Sequence, residues 1–421
     1  MSAPAIHIDT ARIIDEVDPR IYSGFTEHMG RCIYGGIYDP DNQHGLVDPK
    51  TGFRTDVLEA LKELNIPLVR YPGGSANTYW ANRRRKNGHE KPYNVKGTKS
   101  GDPGKMESQD YAKKAFQWAK ALKLLDPNIN LISCGETGFS DWDRVTLKKL
   151  APVVDFHSIH LYTVSEGKHA VNVMGPAAAE KGLEITRALI DLAKIEGELC
   201  KELTICFDEW NVWDPVRAPG EKGAEEHYDL SDALAVAAWL NVFVRKADIV
   251  KIACIAQSVN VISPIVTSPT GLFRQTTYYP LHLFANLMQG TSLDVFVSAP
   301  SPATFYTGPT VPKFMQHLTT HTPDTAKLTK YVDVSAVLSR DGREVRVAVV
   351  NRHREEGFVV PIRFAGGAET VQEEVRVYEV WSQHLGDGNT FGEERVKTVE
   401  RRVRFTGVYE LKKHSFQGMG G

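Results

Sequence analysis

Hydrophobic residues in the first two thirds of the chain form short continuous runs that alternate with amphipathic segments. Six runs have the length and the β-branched content of buried strands: 21–29, 66–74, 129–136, 154–163, 203–211 and 249–261. Helical spacing of apolar residues predicts helices between them, at 54–64, 108–124, 143–151, 175–197, 230–245 and 277–289. Continuous apolar strands joined by helices predict a parallel sheet that is covered on both faces.

The pattern changes at about residue 291. Short strands such as REVRVAVVNRH and EEVRVYEVW now alternate apolar and polar positions and are separated by Gly, Asp and Asn turns. This alternation is typical of an antiparallel β-sandwich. We therefore predict a parallel-sheet domain at 18–290 and a sandwich domain at 291–421. Residues 1–17 also alternate, in AIHIDTARIID, and are a candidate extra strand of the sandwich.

The number of strands is too small for a closed barrel. A (β/α)8 barrel, or TIM barrel, needs eight strand–helix units, and we count six strands. The gap lies between Gly74 and Ser108, where the sequence is polar, basic and rich in glycine. The predicted fold class is therefore α/β, an incomplete (β/α)8-type barrel followed by an antiparallel β-sandwich.

Composition narrows the class of protein further. The chain has 421 residues, is 42% hydrophobic and carries a formal net charge of −2, which argues against nucleic acid or a membrane surface as a partner. The four-residue basic run at 83–86 is typical of a solvated face. The polar start, MSAPAIHIDTARIID, does not resemble a signal peptide. The five cysteines are scattered without a C-x-x-C motif, so we expect an intracellular protein.

Polar side chains collect at the ends of five of the predicted strands. The C-terminal ends of parallel strands meet at one rim of a barrel, where barrel enzymes keep their active sites. Carboxylates, amides and aromatic rings together suit a sugar, because hydroxyl groups need acceptors and donors and the ring needs an apolar face. These strand ends are 26–28, 70–74, 160–162, 208–211 and 257–260.

Each carboxylate also has an ordinary structural explanation. Glu209 alone could cap a helix or pair with an arginine, and Glu27 could form a salt bridge with Arg31 or Arg70. The similar polar character of five strand ends favours a site over these explanations. We expect Asp208 to play the structural part, holding a loop or an arginine.

The other candidate site residues also have ordinary structural explanations. His160 fits a buried core histidine as well as a sugar ligand, and Trp210 and Trp213 fit simple packing. Metal binding has no support, since the sequence contains no H-E-x-x-H motif, no Cys/His pairing and no Asp-rich loop. We expect no cofactor.

Several long motifs resemble one enzyme family. GFTEHMGRCIYGGIYDP, LVRYPGG, SIHLYT, FDEWNVW and AQSVNVISPI are similar to motifs of the α-L-arabinofuranosidases of glycoside hydrolase family 51. The resemblance implies an eight-stranded barrel with a sandwich, a retaining double displacement and a homo-oligomer. It implies that Glu209 is the nucleophile and that five residues bind or line the arabinofuranose ring: Glu27, His160, Tyr162, Trp213 and Gln257.

The chain departs from the family in two places. Ser75 follows RYPGG where the family has an asparagine. The family's acid/base glutamate follows an asparagine at the end of the fourth strand, and here Val95-Lys96 runs into GTKSGDPGKMESQDY without an Asn-Glu pair. The acid/base residue is therefore unidentified. Glu136, Glu107 and Asp102 are the nearest substitutes, but a glycine-rich loop does not build the fixed environment that a general acid needs.

The function expected from these observations is hydrolysis of terminal non-reducing α-L-arabinofuranosyl groups from arabinan or arabinoxylan oligosaccharides, with impaired activity. A non-catalytic arabinose-binding protein and the product of a deleted gene model are the alternatives. A β-xylosidase or an endoglucanase with a similar barrel fits the motifs less well.

Overall fold

The computed structural model describes residues 3–72, 106–165, 167–220, 223–306, 329–366 and 374–420. Its helices are α1 (Thr55–Glu63), α2 (Ser108–Leu125), α3 (Asp141–Leu150), α4 (His169–Met174), α5 (Pro176–Glu196), α6 (Leu230–Arg245) and α7 (Tyr278–Leu287). Two short 3₁₀ turns are present at Pro19–Tyr22 and Pro302–Thr304. None of the helices in these ranges is both long and apolar enough to cross a bilayer.

The strands fall into a parallel set and a mainly antiparallel set. After β1 (Ala5–Glu16), the parallel set comprises β2 (Ser23–Phe25), β3 (Val69–Arg70), β4 (Ile132–Ser133), β5 (Phe156–Thr163), β6 (Thr204–Val212) and β7 (Val250–Ile255). A hairpin of β8 (Ile265–Ser268) and β9 (Gly271–Arg274) follows. The later strands are β10 (Thr291–Ser298), β11 (Val332–Leu338), β12 (Val345–Asn351), β13 (Phe358–Ala365), β14 (Glu374–Val380), β15 (Asn389–Thr390), β16 (Glu393–Glu394), β17 (Thr398–Arg404), β18 (Val408–Leu411) and β19 (Ser415–Gly420).

The parallel sheet is an open, curled wall. Its strand order is β3-β2-β7-β6-β5-β4, so the first strand pairs with the last, as in a closing barrel. Among the described residues, the sheet ends at β3 on one side and at β4 on the other. These ends lie on either side of the predicted gap between Gly74 and Ser108. The fold class, an incomplete barrel followed by an antiparallel domain, is confirmed.

Helix α6 anchors the complete side of this wall. Every residue from Leu230 to Val244 is buried, because the helix lies between the parallel sheet and the antiparallel sheet. Asp229 caps its first turn because its carboxylate accepts a hydrogen bond from the amide of Asp232, and the Asp232 carboxylate accepts one from the amide of Asp229. The strong cap and the apolar surface explain why the sequence pattern found this helix with the observed bounds.

The second sheet has nine strands in the order β17-β14-β19-β12-β11-β10-β1-β13-β18. Its pairs are antiparallel except for β1 with β13. The two edge strands come together, since Arg401 on β17 donates a hydrogen bond to the Tyr409 hydroxyl on β18 at 2.9 Å. One apolar cluster lies inside this folded sheet, between its two halves. The division at 18–290 and 291–421 stays a prediction, although β1 does pair with β10.

The helix expected at 175–197 is α5, Pro176–Glu196, which agrees within one residue at each end. The short helix α4, His169–Met174, was not predicted, and it meets α5 at Gly175. A Cβ atom at Gly175 would lie 2.6 Å from the Thr163 side chain, so the close packing on β5 requires glycine there. Proline begins α5 because its missing N–H is not needed in the first turn.

Candidate active site

Strands β5 and β6 place the main candidate residues side by side. The buried run at the start of β6 fixes the strand in the sheet, and its register sets His160 opposite Glu209 and Tyr162 opposite Asn211. Glu209 and His160 are only half-buried, whereas the residues before them in each strand are mostly buried. Their side chains therefore lie at the rim that the carboxyl ends of the parallel strands form.

The Glu209 carboxylate is held by three neighbours. Arg70 Nη1 lies 2.5 Å from Glu209 Oε2, and the Tyr162 hydroxyl donates a hydrogen bond to Glu209 Oε1 at 2.7 Å. His160 Nδ1 lies 3.4 Å from Oε2. Both carboxylate oxygens thus have a partner, and charge-assisted hydrogen bonds of this kind fix the orientation of the group.

Asp208 supports the residues that contact Glu209. Its carboxylate lies 3.2 Å from Arg70 Nε and 3.3 Å from His160 Nε2, and it accepts a hydrogen bond from the Ser158 hydroxyl at 2.5 Å. Burial alone would raise the pKa of Asp208. The hydrogen bond from His160 and the Arg70 charge outweigh burial and hold that pKa below its ordinary value. The arginine that Asp208 was expected to hold is Arg70.

The Tyr162 hydroxyl is a permanent donor in this arrangement. Burial, the nearby Glu209 charge and the hydrogen bond to Glu209 raise the pKa of Tyr162 well above its ordinary value. The Trp213 ring meets the Tyr162 ring edge to face, with centroids 5.5 Å apart. Trp213 Nε1 in turn donates to the Ala218 carbonyl at 3.0 Å, which orients the indole.

Glu27 and Gln257 form a second polar pair on the rim. Gln257 Nε2 donates to Glu27 Oε1 at 2.6 Å, and both side chains are buried. Gln257 Oε1 has no hydrogen-bond partner among the described residues, so it is an acceptor that remains to be satisfied. Arg31 pairs with Glu225 at 2.7 Å, and Arg70 pairs with Asp208 and Glu209. The two arginines that the sequence suggested as salt-bridge partners of Glu27 therefore both pair with other carboxylates.

Two contributions to this rim were not expected from the sequence. Arg70 reaches Glu209 although β2 and β7 stand between their strands in the sheet order, which is possible only because the sheet curls. Asn211 Nδ2 donates to the carbonyls of Ala256 and Ile262, joining the ends of β6 and β7. The only sequence signal for either was a polar residue at a strand end. Trp210 is a core residue, 1% exposed and packed on Trp239.

The proposed acid/base substitutes are only partly described. Ser75, Asp102 and the junctions at Gly74–Ser75 and Lys96–Gly97 lie outside the described residues. Glu107 is exposed and stands at the N-cap position of α2, where its side chain makes no capping hydrogen bond. The backbone of Glu136 is bound on both sides, since its amide donates to Asp143 and its carbonyl accepts from His160. Within the described ranges, no group of three or more His, Cys, Asp or Glu residues could hold a metal ion.

Comparisons with known proteins agree on one family. Residues 25–173 match the model of the α-L-arabinofuranosidase 1 domain, and residues 208–415 match that of the α-L-arabinofuranosidase C-terminal domain. The chain is 42% identical to α-L-arabinofuranosidase C of Emericella nidulans, covering 98% of this chain and 96% of that protein. That alignment extends over 508 positions, whereas this chain has 421 residues, so the relative carries residues that this chain lacks.

Two further proteins are similar over most of the chain. An intracellular exo-α-(1→5)-L-arabinofuranosidase of Halalkalibacterium halodurans is 27% identical, covering 83% of this chain and 85% of that protein. The structure of an α-L-arabinofuranosidase from Thermotoga maritima in complex with arabinose superimposes with a TM-score of 0.77 at 26% identity, covering both chains fully.

Proposed function

Because the chain belongs to the α-L-arabinofuranosidases of glycoside hydrolase family 51, we propose that it binds a terminal α-L-arabinofuranosyl group and that Glu209 is its nucleophile. The observation that carries this proposal is the fixed Glu209 carboxylate, which Arg70, Tyr162 and His160 hold at the rim of the parallel sheet. A nucleophile must be pre-oriented in this way to attack an anomeric carbon.

The chemistry is a double displacement. A Glu209 oxygen bonds to the anomeric carbon while the bond to the leaving oxygen breaks, and that oxygen takes a proton. Water then attacks the anomeric carbon, releases Glu209 and loses a proton. Tyr162 and Arg70 keep the carboxylate facing the sugar during both steps. In this proposal, Glu27, His160, Trp213 and Gln257 contact the ring hydroxyls or line its pocket.

We further propose that hydrolysis by this chain is slow. The mechanism needs a second carboxyl group at about 5–5.5 Å from the nucleophile, to donate and then accept a proton. The sequence contains no Asn-Glu pair, and among the described residues the parallel sheet ends at β3 and β4, between which the strand that carries this pair in the family would lie. Losing general acid catalysis lowers the rate by about 10²–10⁴-fold.

The names of relatives suggest the substrate and the setting. The Halalkalibacterium halodurans protein is named as an intracellular enzyme that acts on α-(1→5) linkages from chain ends. We propose short arabinan or arabinoxylan oligosaccharides as substrates, an intracellular location, and a homo-oligomer. These assignments extend the family membership and rest on no separate contact in the structure.

The proposal is tested with purified protein and an aryl α-L-arabinofuranoside. We expect slow release of the aryl group, and Glu209→Gln is expected to abolish it because the substitution removes the carboxylate that Arg70 and Tyr162 orient. Turnover at an ordinary family rate would contradict the proposed impairment. Release that persists in Glu209→Gln would contradict the assignment of the nucleophile.

A second function is favoured by the same geometry. The residues that we propose to bind the ring lie at the rim of the parallel sheet, and the acid/base group is unidentified; this combination supports a non-catalytic arabinose-binding protein. Calorimetry with arabinose separates the two cases: saturable binding without turnover supports this alternative. A deleted gene model is the remaining alternative, and sequencing the transcript across Gly74–Ser75 and Lys96–Gly97 tests it directly.

A further inference from the structure

A small charged cavity lies where helices α5 and α6 meet the antiparallel sheet. Its volume is about 150 Å³, and its lining includes neither Glu209 nor any of the residues that contact Glu209. Apolar residues from α6, β10 and β11 form part of its lining. The other part consists of five charged side chains: Glu180, Arg245, Lys330, Asp333 and Arg352. Nothing in the proposed hydrolysis uses these residues.

The two carboxylates of the cavity are already engaged by Arg245. Glu180 accepts two hydrogen bonds from the Arg245 guanidinium, at 3.0 and 2.7 Å. Asp333 Oδ1 lies 3.2 Å from Arg245 Nη1, and Asp333 Oδ2 accepts from Asn241 at 2.8 Å. Arg245 also donates to the Val334 carbonyl at 2.8 Å. This arginine is therefore fully compensated.

Arg352 and Lys330 are not compensated in this way. Arg352 is only 5% exposed, and its Nε and Nη2 atoms both donate to the Lys330 carbonyl, so a neutral oxygen takes both bonds. Its nearest acidic atom is Asp333 Oδ1, at 3.9 Å from Nη2. The Lys330 ammonium lies 4.7 Å from the centre of the Phe296 ring and makes no hydrogen bond or ion pair with any described residue.

The pKa values of Lys330 and Arg352 are both lowered. Burial, and then the repulsion from Arg245, lower the pKa of Lys330. Burial lowers the pKa of Arg352 as well, whereas the carboxylates around Arg245 raise the pKa of that neighbouring arginine despite its burial. A buried guanidinium stays charged, so the unfavourable desolvation persists unless an anion approaches it.

A neighbouring cavity shows that this shortage is not a general property of the domain boundary. That cavity, of about 380 Å³, is also lined by basic residues of α5 and α6. There Arg187 lies 2.5 Å from Asp248, and Lys246 lies 3.0 Å from Glu184. Arg187 and Lys246 in the larger cavity each have a close carboxylate partner. In the smaller cavity, Arg352 has only a long contact to Asp333, a carboxylate that Arg245 approaches more closely, and Lys330 has no ion pair among the described residues.

We propose that the smaller cavity binds a small oxyanion, such as inorganic phosphate or sulfate, between Lys330 and Arg352. An oxyanion would accept hydrogen bonds from the Lys330 ammonium and the Arg352 guanidinium, and hydrogen bonds from charged donors to phosphate are stronger than those between neutral groups. The volume of about 150 Å³ favours a free inorganic ion over a phosphorylated sugar. The ion would connect the antiparallel sheet to α6 through the charges that surround Arg245.

Titration calorimetry with inorganic phosphate, at constant ionic strength set by chloride, tests the proposal. We expect saturable binding to the full chain and a rise in the thermal midpoint with phosphate concentration, because a ligand stabilises the state that binds it. Sulfate is expected to compete with phosphate. Arabinose 5-phosphate is expected to bind more weakly than phosphate, and tighter binding of the sugar phosphate would overturn the assignment to a free ion.

Variants separate this site from non-specific attraction. Lys330→Met removes a half-buried ammonium without emptying the core, and we expect roughly a tenfold loss of phosphate affinity, as for one charge-assisted hydrogen bond. Arg352→Lys keeps a positive charge but loses the planar fork, and should weaken binding as well. Arg187→Gln, in the larger cavity, is the matched control and should leave the affinity unchanged. Absence of binding to the unaltered chain, or an equal loss in Arg187→Gln, would overturn the proposal.

Discussion

The two sides of the parallel sheet differ in how well they are covered. On the side of β5, β6 and β7, helix α6 is buried along almost its whole length and the rim residues contact one another. On the side that ends at β4, helix α2 exposes large apolar residues: Trp118 is 60% exposed and Leu125 is 84% exposed. In a closed barrel, a neighbouring helix would cover such a face.

In the proposed function, this difference separates the nucleophile and the ring-binding residues from the acid/base group. The covered side carries Glu209, Tyr162, His160 and Gln257, whose positions depend on strands that pair on both edges. In the proposed function, the acid/base group would belong to the side where the described strands of the sheet end. We therefore propose that the nucleophile and the acid/base group depend on different strands, so that the chain can keep the first without the second.

The largest expected effect comes from completing the open side. We predict that a chimera in which residues 73–105 are replaced by the corresponding segment of the Emericella nidulans relative will hydrolyse an aryl α-L-arabinofuranoside about 10²–10⁴-fold faster. The segment would supply the missing wall and the general acid together. Initial rates at saturating substrate give the comparison.

The chimera needs a control for contaminating activity and for folding. The same chimera with Glu209→Gln should be inactive, since the restored acid cannot act without the nucleophile. A chimera that folds, as shown by circular dichroism and a cooperative melt, but gains no activity would contradict the view that the open side alone limits catalysis.

Equivalent truncations on the two sides should have very different effects on stability. Leu234 in α6 is 0% exposed, and Leu234→Ala should lower the free energy of unfolding by about 2–5 kcal/mol, because it leaves a cavity in a packed core. Leu125→Ala in α2 removes a side chain that is 84% exposed and should change stability by less than about 0.5 kcal/mol.

Urea unfolding followed by tryptophan fluorescence measures both. A loss at Leu125 as large as that at Leu234 would mean that the open face is covered in solution, for example by another subunit. Both sides of the parallel sheet would then be covered in solution.

The elements of the fold were predictable because each depends on a local pattern. All six parallel strands and the buried helix α6 follow from apolar runs and a capping sequence. The pairing of Arg70 with Glu209 was not predictable, since it depends on how far the sheet curls. The same holds for the small cavity, where Arg245, Lys330 and Arg352 are distant in sequence and no spacing connects them.

The start of α5 was predicted within one residue, but the short helix α4 before it was missed. Six residues are too few to show a helical period in the sequence. Three of the six residues of α4 are buried, so packing against the rest of the fold supports a helix that the local pattern does not indicate.

A histidine on the covered side should make stability depend on pH. Burial lowers the pKa of His169 to about 4. Its Nε2 lies 3.1 Å from the Arg352 carbonyl and must donate to it, while Nδ1 lies 2.8 Å from the Ser231 hydroxyl, and the neutral ring satisfies both. In the unfolded chain the pKa returns to about 6.5, so the unfolded state binds more protons between these values.

The sign follows from that difference. The contribution of His169 is fully present above about pH 6.5 and is lost as the pH falls towards 4, by up to about 3 kcal/mol. Urea midpoints of the unaltered chain and of His169→Gln, compared at each pH, isolate this term from other titrating groups. The same substitution at the exposed His44 is the control and should leave the change of urea midpoint with pH unaltered. Equal slopes for the unaltered chain and His169→Gln would contradict the prediction.

The smallest expected effect concerns a single hydrogen bond at the rim. Tyr162→Phe removes the donor to Glu209 Oε1 but keeps the ring that packs against Trp213, so the covered side should stay folded. We predict roughly a tenfold loss of arabinose affinity by calorimetry, because a carboxylate that has lost a charge-assisted bond is less well oriented for the sugar. Tyr331→Phe, in the antiparallel domain, is the matched control. If Tyr162→Phe bound arabinose as tightly as the unaltered chain, the orientation of Glu209 would rest on Arg70 and His160 alone, and the covered side would tolerate the loss of one of its contacts.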